Sequence, residues 1–101
     1  MGLIWVVQAS AQGGATGAIN GTVVDPSGAS LAGAKVTAQN EGTNVAWTTS
    51  SGSSGSYSLE SIPPGRYSIK VEATGFKTVI SHGNILSIGQ PTTVNAAGRN
   101  Q

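Results

Sequence analysis

The alternation Tyr67-Ser68-Ile69-Lys70-Val71-Glu72 constrains this chain most, because apolar and polar side chains follow one another at a period of two. A β-strand sends successive side chains to opposite faces, so such a run buries one face and wets the other. The same period recurs where Ile19, Gly21 and Val23 interleave with Asn20, Thr22 and Val24. It recurs again where Ala34, Val36 and Ala38 interleave with Lys35, Thr37 and Gln39. No segment holds apolar residues at i, i+3, i+4 and i+7 through two turns, so no helix is expected.

Turn chemistry separates these runs. Asp25-Pro26-Ser27-Gly28 ends the first, with Pro pre-setting φ and Gly supplying positive φ. Glu41-Gly42-Thr43-Asn44 precedes a third strand, with Val45 and Trp47 on one face and Ala46 and Thr48 on the other. Ser50 to Ser56, nearly all Ser and Gly, reads as a mobile loop. Tyr57 and Leu59 lead into Ile62-Pro63-Pro64-Gly65, where the prolines remove ladder donors. Beyond the strong strand, Thr74-Gly75, His82-Gly83-Asn84 and Gly89-Gln90-Pro91 punctuate Phe76–Ile80, Ile85–Ile88 and Thr92–Ala97. The expected fold is all-β: an antiparallel Greek-key β-sandwich of seven or eight short strands.

Composition narrows the function. The 101 residues leave room for one core. Charged residues make up only 9% and the net charge is +1, which excludes a polybasic nucleic-acid binder. With no Cys, neither a disulfide scaffold nor a thiolate metal site is available. No apolar run reaches the ~18 residues of a membrane span.

Residues 1–16 stand apart as an apolar segment followed by a Gly-rich linker. Leu3, Ile4, Trp5, Val6 and Val7 are apolar, and Ala9-Ser10-Ala11 before Gln12 has the small-residue spacing that signal peptidase accepts. No Lys or Arg precedes the run, and it is shorter than the usual ~7–15 residues. Two readings stay open: the tail of an export signal, or a genuine strand rich in β-branched residues.

Candidate chemistry is sparse. His82 and Asp25 are the only His and Asp, each inside turn-forming sequence, so a solvated loop His and a turn-capping Asp are expected rather than a Ser-His-Asp device. The carboxylates available for paired acid–base work are Glu41, Glu60 and Glu72, and Glu72 points outward beside Lys70. No cluster of His, Asp and Glu suggests a metal. Gly13-Gly14 and Gly52–Gly55 are not placed as phosphate loops. Asn20-Gly21-Thr22 matches a glycosylation sequon but lies in an expected strand. Trp47 reads as a core anchor, with an exposed stacking platform for sugars or a partner as the alternative. No catalytic residue, metal or cofactor is expected.

Three landmarks carry a family resemblance. Gly21-Thr22-Val23-Val24-Asp25-Pro26-Ser27-Gly28 with Leu31-Ala32-Gly33-Ala34-Lys35-Val36 resembles the opening of the carboxypeptidase regulatory-like domain family. Gly55-Ser56-Tyr57-Ser58-Leu59 with Ile62-Pro63-Pro64-Gly65-Arg66-Tyr67 is similar to its central strand-turn-strand, and Val71-Glu72-Ala73-Thr74-Gly75-Phe76-Lys77 to its next landmark. The resemblance implies a transthyretin-like, prealbumin-type sandwich over residues 17–97, exported and non-catalytic, with residues 98–101 as a tail. Such domains occur in carboxypeptidases, in bacterial surface proteins and at the N-terminus of TonB-dependent receptors. Ser50–Ser54 lacks the acid common in the family's loop, so no loop metal is expected. Related collagen-adhesin domains can form a Lys–Asn isopeptide bond assisted by a buried acid; the resemblance puts Glu72 at the place of that acid, and Asn95 lies in the last expected strand. The first strand has Asn20, Thr22 and Val23 but no Lys, so that bond is not expected either.

Two functions follow as expectations. In the first, the protein is an extracellular structural subunit that polymerises with itself, Leu3–Val7 adding as a strand to a neighbour's sheet. Few charges guard the sheet edges, near-zero net charge does not oppose association, and head-to-tail exchange need not close. In the second, it is an accessory spacer or binding domain of an exported protein such as a TonB-dependent receptor, acting in the periplasm. A carbohydrate contact through the Ser/Thr/Asn-rich surface is a third, slighter expectation.

Overall fold

The clean alternation becomes β5, Gly65–Glu72, in which Tyr67, Ile69 and Val71 are buried while Arg66 stays exposed on the other face. It pairs antiparallel with β2, Lys35–Asn40, whose Val36 and Ala38 are buried at the same level as Val71 and Ile69. β3, Ala46–Ser50, adds to the far side of β2, and β7, Val79–Leu86, to the far side of β5. The order of this sheet is therefore β3-β2-β5-β7. The computed structural model describes residues 16–89 and 91–100.

The second sheet is built on β1, Gly17–Val24, flanked by β4, Ser56–Ile62, and β8, Pro91–Thr93. β4 runs antiparallel to β1, whereas β8 and the two-residue β9, Ala96–Ala97, run parallel to it. A minor pair joins β6, Phe76–Lys77, to β10, Arg99–Asn100. Ile19 and Val23 of β1 and Tyr57, Leu59 and Ile62 of β4 meet Val36, Ala38, Tyr67, Ile69, Val71 and Leu86 in one hydrophobic cluster. Two sheets with apolar inner faces closing on each other make the expected all-β sandwich, with no helix among the described residues.

Three details differ from the sequence reading. Ten strand segments appear rather than seven or eight, the surplus being the two-residue β6, β9 and β10. His82-Gly83-Asn84 does not end a strand; it holds a bulge inside β7, where His82 and Gly83 oppose the single Ser68 of β5 between Tyr67↔Asn84 and Ile69↔Ser81. Gly83, at φ 74°, supplies the left-handed step that a bulge requires. The Ser50–Ser56 stretch is not a bare linker. Ser51 is buried, its hydroxyl accepting from Ala34 N–H at 2.9 Å and donating to the Leu31 carbonyl at 2.7 Å. Gly52 and Gly55 close a bonded turn above it. The buried Ser therefore recruits a segment whose composition alone suggests freedom.

Candidate functional site: sheet edges and the outer face of the larger sheet

Two features outside the core can meet a partner. The first lies on the outer face of the larger sheet. The Glu41 carboxylate, in the turn after β2, accepts from Gly83 N–H at 2.8 Å and from the Ser68 hydroxyl at 2.9 Å. Ser68 Oγ also lies 3.1 Å from His82 Nδ1. These hydrogen bonds hold the Glu41 carboxyl below its ordinary range, Gly83 first and Ser68 second, with Arg66 and His82 adding charge attraction. Glu41 thereby satisfies the amide that the bulge withdraws from the β5 ladder.

The three side chains are those of a hydrolytic triad in the wrong order. A working triad needs the carboxylate on the His, so that the ring is oriented to take the serine proton. Here Ser68 stands between acid and base, and its single proton goes to Glu41 or to His82 but not to both. The cluster pins a turn, a strand and a bulge together. Asp25, the only Asp, is not part of this cluster. Asp25 Oδ1 accepts from the Ser27 hydroxyl and from the Ser27 and Ala29 amides, the expected turn cap. The Glu41–Ser68 contact depends on the β2–β5 register, which no local motif reports.

Other singled-out residues take structural roles. Lys70 Nζ and Glu72 lie 3.8 Å apart on the exposed outer face. Asn20 Oδ1 accepts from Thr93 Oγ1, and Thr22 donates through its amide and hydroxyl to Asn95 Oδ1, so the sequon residues and Asn95 are spent in tying β8 and its extension to β1. No group of three His, Cys, Asp or Glu is placed to hold a metal among the described residues. Leu3, Ile4, Trp5, Val6 and Val7 lie outside the described residues.

The second feature is the set of sheet edges, and they are not equally guarded. On β4, Glu60 places a charge, Ser61 at φ 60° breaks the regular conformation, and Pro63-Pro64 follow. On β7, the bulge interrupts the strand and Thr92 Oγ1 donates to the Ile85 carbonyl at 3.1 Å. β8 begins with Pro91 and is three residues long. β3 carries no charge, Pro, Gly or bulge over Ala46-Trp47-Thr48-Thr49-Ser50, and its register with β2 is unbroken.

The phase of the β3 ladder follows from its ends. Opposed antiparallel pairs alternate between bonded and non-bonded. Asn40 N–H donates to the Val45 carbonyl and Ser51 N–H to the Ala34 carbonyl, each at 2.9 Å, so Val45, Trp47 and Thr49 turn their backbone groups toward β2. Ala46, Thr48 and Ser50 turn theirs away, and none of the described residues takes them up. On the inner side of this edge Trp47 is half-buried, its ring tilted at 58° to Tyr67 with centroids 5.9 Å apart. It is both the expected anchor and the flank of an open edge. Val45, just before the strand, is 49% exposed.

A model of the carboxypeptidase regulatory-like domain matches residues 18–98. No curated protein matches the sequence. Among solved structures, the TIE protein of Bacillus anthracis superposes with a TM-score of 0.68 at 18% identity, over 85% of this chain and 17% of that one. GBS52, the minor pilin of Streptococcus agalactiae, gives 0.67 at 14% identity, over 86% of this chain and 45% of that one. Hydroxyquinol 1,2-dioxygenase from Pseudomonas putida DLL-E4 gives 0.67 at 10% identity, over 87% of this chain and 57% of that one. Likeness at these identities is likeness of fold, shared by an enzyme and a pilin alike. This chain spans less than two thirds of each.

Proposed function

This chain belongs to the carboxypeptidase regulatory-like domain family, and from that premise we propose that it is a non-catalytic module of an exported bacterial surface protein, acting by protein–protein contact in a pilus-like assembly of its own copies. Copies are joined when Leu3–Val7 of one adds as a strand to the sheet edge of the next. The observation that carries this reading is the unguarded edge of a four-stranded sheet in a chain with few charges. Backbone hydrogen bonds would supply affinity and alternate side chains specificity. The likeness to a minor pilin is in keeping with it. A non-catalytic role accords with the Glu41–Ser68–His82 order.

The test is negative-stain electron microscopy of the natively exported protein, with its N-terminus read by mass spectrometry. Filaments whose subunits retain Leu3–Val7 are expected. Monodisperse particles starting at Gln12 overturn the assembly reading.

A second reading has its own support. In the TIE protein, the minor pilin and the hydroxyquinol dioxygenase the matched fold accounts for 17%, 45% and 57% of a longer chain. An accessory spacer or binding domain, periplasmic and attached to an outer-membrane receptor of the TonB-dependent kind, accords with that and with Ala9-Ser10-Ala11 as a cleavage site. Receptor sequence immediately downstream in the encoding DNA decides for it.

A further inference from the structure

Taking the strand-addition reading as its basis, we propose that the acceptor is the β3 edge and that Leu3–Val7 of a second copy docks there antiparallel, with Leu3, Trp5 and Val7 beside Thr49, Trp47 and Val45. Three observations select this edge and this register.

The first is availability. The other edges each carry a device that opposes pairing, a charge and kink on β4, a bulge on β7, and a proline start on β8. β3 carries none, and its Ala46, Thr48 and Ser50 amides and carbonyls face outward with no bonding partner among the described residues.

The second is length and composition. The edge is five residues long, and Leu3–Val7 is a five-residue apolar run with three β-branched members. Residues 8–15 separate it from the first described residue. Eight residues reach at most about 26–29 Å when extended, enough to leave one domain and meet a neighbour.

The third is the side-chain match, which fixes register. A one-residue slip would send every donor side chain to the opposite face. Setting Leu3 opposite Thr49, Trp5 opposite Trp47 and Val7 opposite Val45 puts three apolar side chains on the inner side. There the half-buried Trp47 flanks the core and Val45 stands half exposed. Ile4 and Val6 then oppose Thr48 and Ala46, the positions whose backbone groups face outward, so the ladder and the apolar contact are satisfied together. The slipped register would place Leu3, Trp5 and Val7 on the outer, solvated face.

The chain has no Cys, so cross-linking tests it without background. Leu3 and Thr49 would form a non-bonded pair across the new ladder, the close pairing that suits a disulfide. Full-length Leu3→Cys mixed with full-length Thr49→Cys should give covalent heterodimers on mild oxidation, and Leu3→Cys with Ser58→Cys on the β4 edge should not. Thr48→Pro removes an outward amide that β2 does not use, and Thr48→Lys places a charge on the same edge. Both should abolish polymers at concentrations where the unaltered chain forms them, with the circular dichroism spectrum of the fold retained.

The outcomes separate the inference from its basis. Polymers lost on deleting residues 1–12 but kept in both Thr48 variants mean that strand addition holds and another edge accepts it. Polymers kept on that deletion but lost in the Thr48 variants mean that β3 pairs with something other than Leu3–Val7, such as β3 of a second copy, and overturn the proposed donor. If none of the changes matters, both ideas fail.

Discussion

The Tyr57 hydroxyl donates a hydrogen bond to the Val94 carbonyl, directly over the α-carbon of Gly21. A β-carbon at Gly21 would collide with that carbonyl and stand 2.8 Å from the hydroxyl. Val94 N–H in turn donates to the Asn20 carbonyl at 2.8 Å. This crossing fastens the chain after β8 to β1 and closes the smaller sheet. Gly21 is required for close approach.

Gly21→Ala should therefore destabilise the domain by about 1–3 kcal/mol, the usual cost of overpacking, since a backbone carbonyl must move rather than a flexible side-chain end. Urea unfolding followed by tryptophan fluorescence measures it as a lower midpoint at unchanged slope. An unchanged midpoint would mean that the crossing is looser than described.

Burial pushes the Tyr57 hydroxyl up to about 12, from 10.0 in the open chain. The folded state thus holds the proton more tightly than the unfolded state. The associated stability is complete below pH 10 and disappears as pH rises through 12. Stability of the unaltered protein should fall across that window, and Tyr57→Phe should flatten the fall while lowering stability at neutral pH by about 1 kcal/mol.

At the acid end, Asp25 and Glu41 are both held below their ordinary values, Asp25 chiefly by the Ser27 hydroxyl and then the Ala29 amide, Glu41 chiefly by the Gly83 amide. Depressed carboxyls contribute stability above their unfolded values and lose it as pH falls through their folded ones. Asp25→Asn with Glu41→Gln should unfold more readily than the parent at pH 7, and the gap should close as the pH falls below the ordinary carboxylate range. Both groups face solvent, so the effect is small, and a gap independent of pH would refute it.

The core and the outer face should respond differently to the same truncation. Ile69 is 1% exposed in the centre of β5, and Ile85 is 56% exposed on β7. Ile69→Ala should cost about 2–5 kcal/mol. Ile85→Ala should stay within about 0.5 kcal/mol. Thermal unfolding of the two variants in parallel compares them.

Sequence reading worked wherever a strand buries one face. Tyr67, Ile69 and Val71, Val36 and Ala38, and Ile19 and Val23 were all legible as inward positions, because burial on one side writes a period of two into the chain. It misread His82-Gly83-Asn84, because a bulge and a tight turn demand the same residues. It misread Ser51 because a buried hydroxyl with two backbone partners looks, in a Ser/Gly run, like any other Ser.

By itself, then, the sequence determined the all-β class, the family landmarks, the inward faces and the scarcity of charge. These are properties of short windows, or of composition, and need no knowledge of which strand lies beside which. The tertiary structure decided the rest. The β2–β5 register brings Glu41 to Ser68 across 27 positions, the parallel placement of β8 brings Thr93 to Asn20 across 73, and the strand order leaves β3 at an edge without a guard. Each depends on pairing between distant segments, and a period-two pattern says which face a residue takes but not which neighbour it meets.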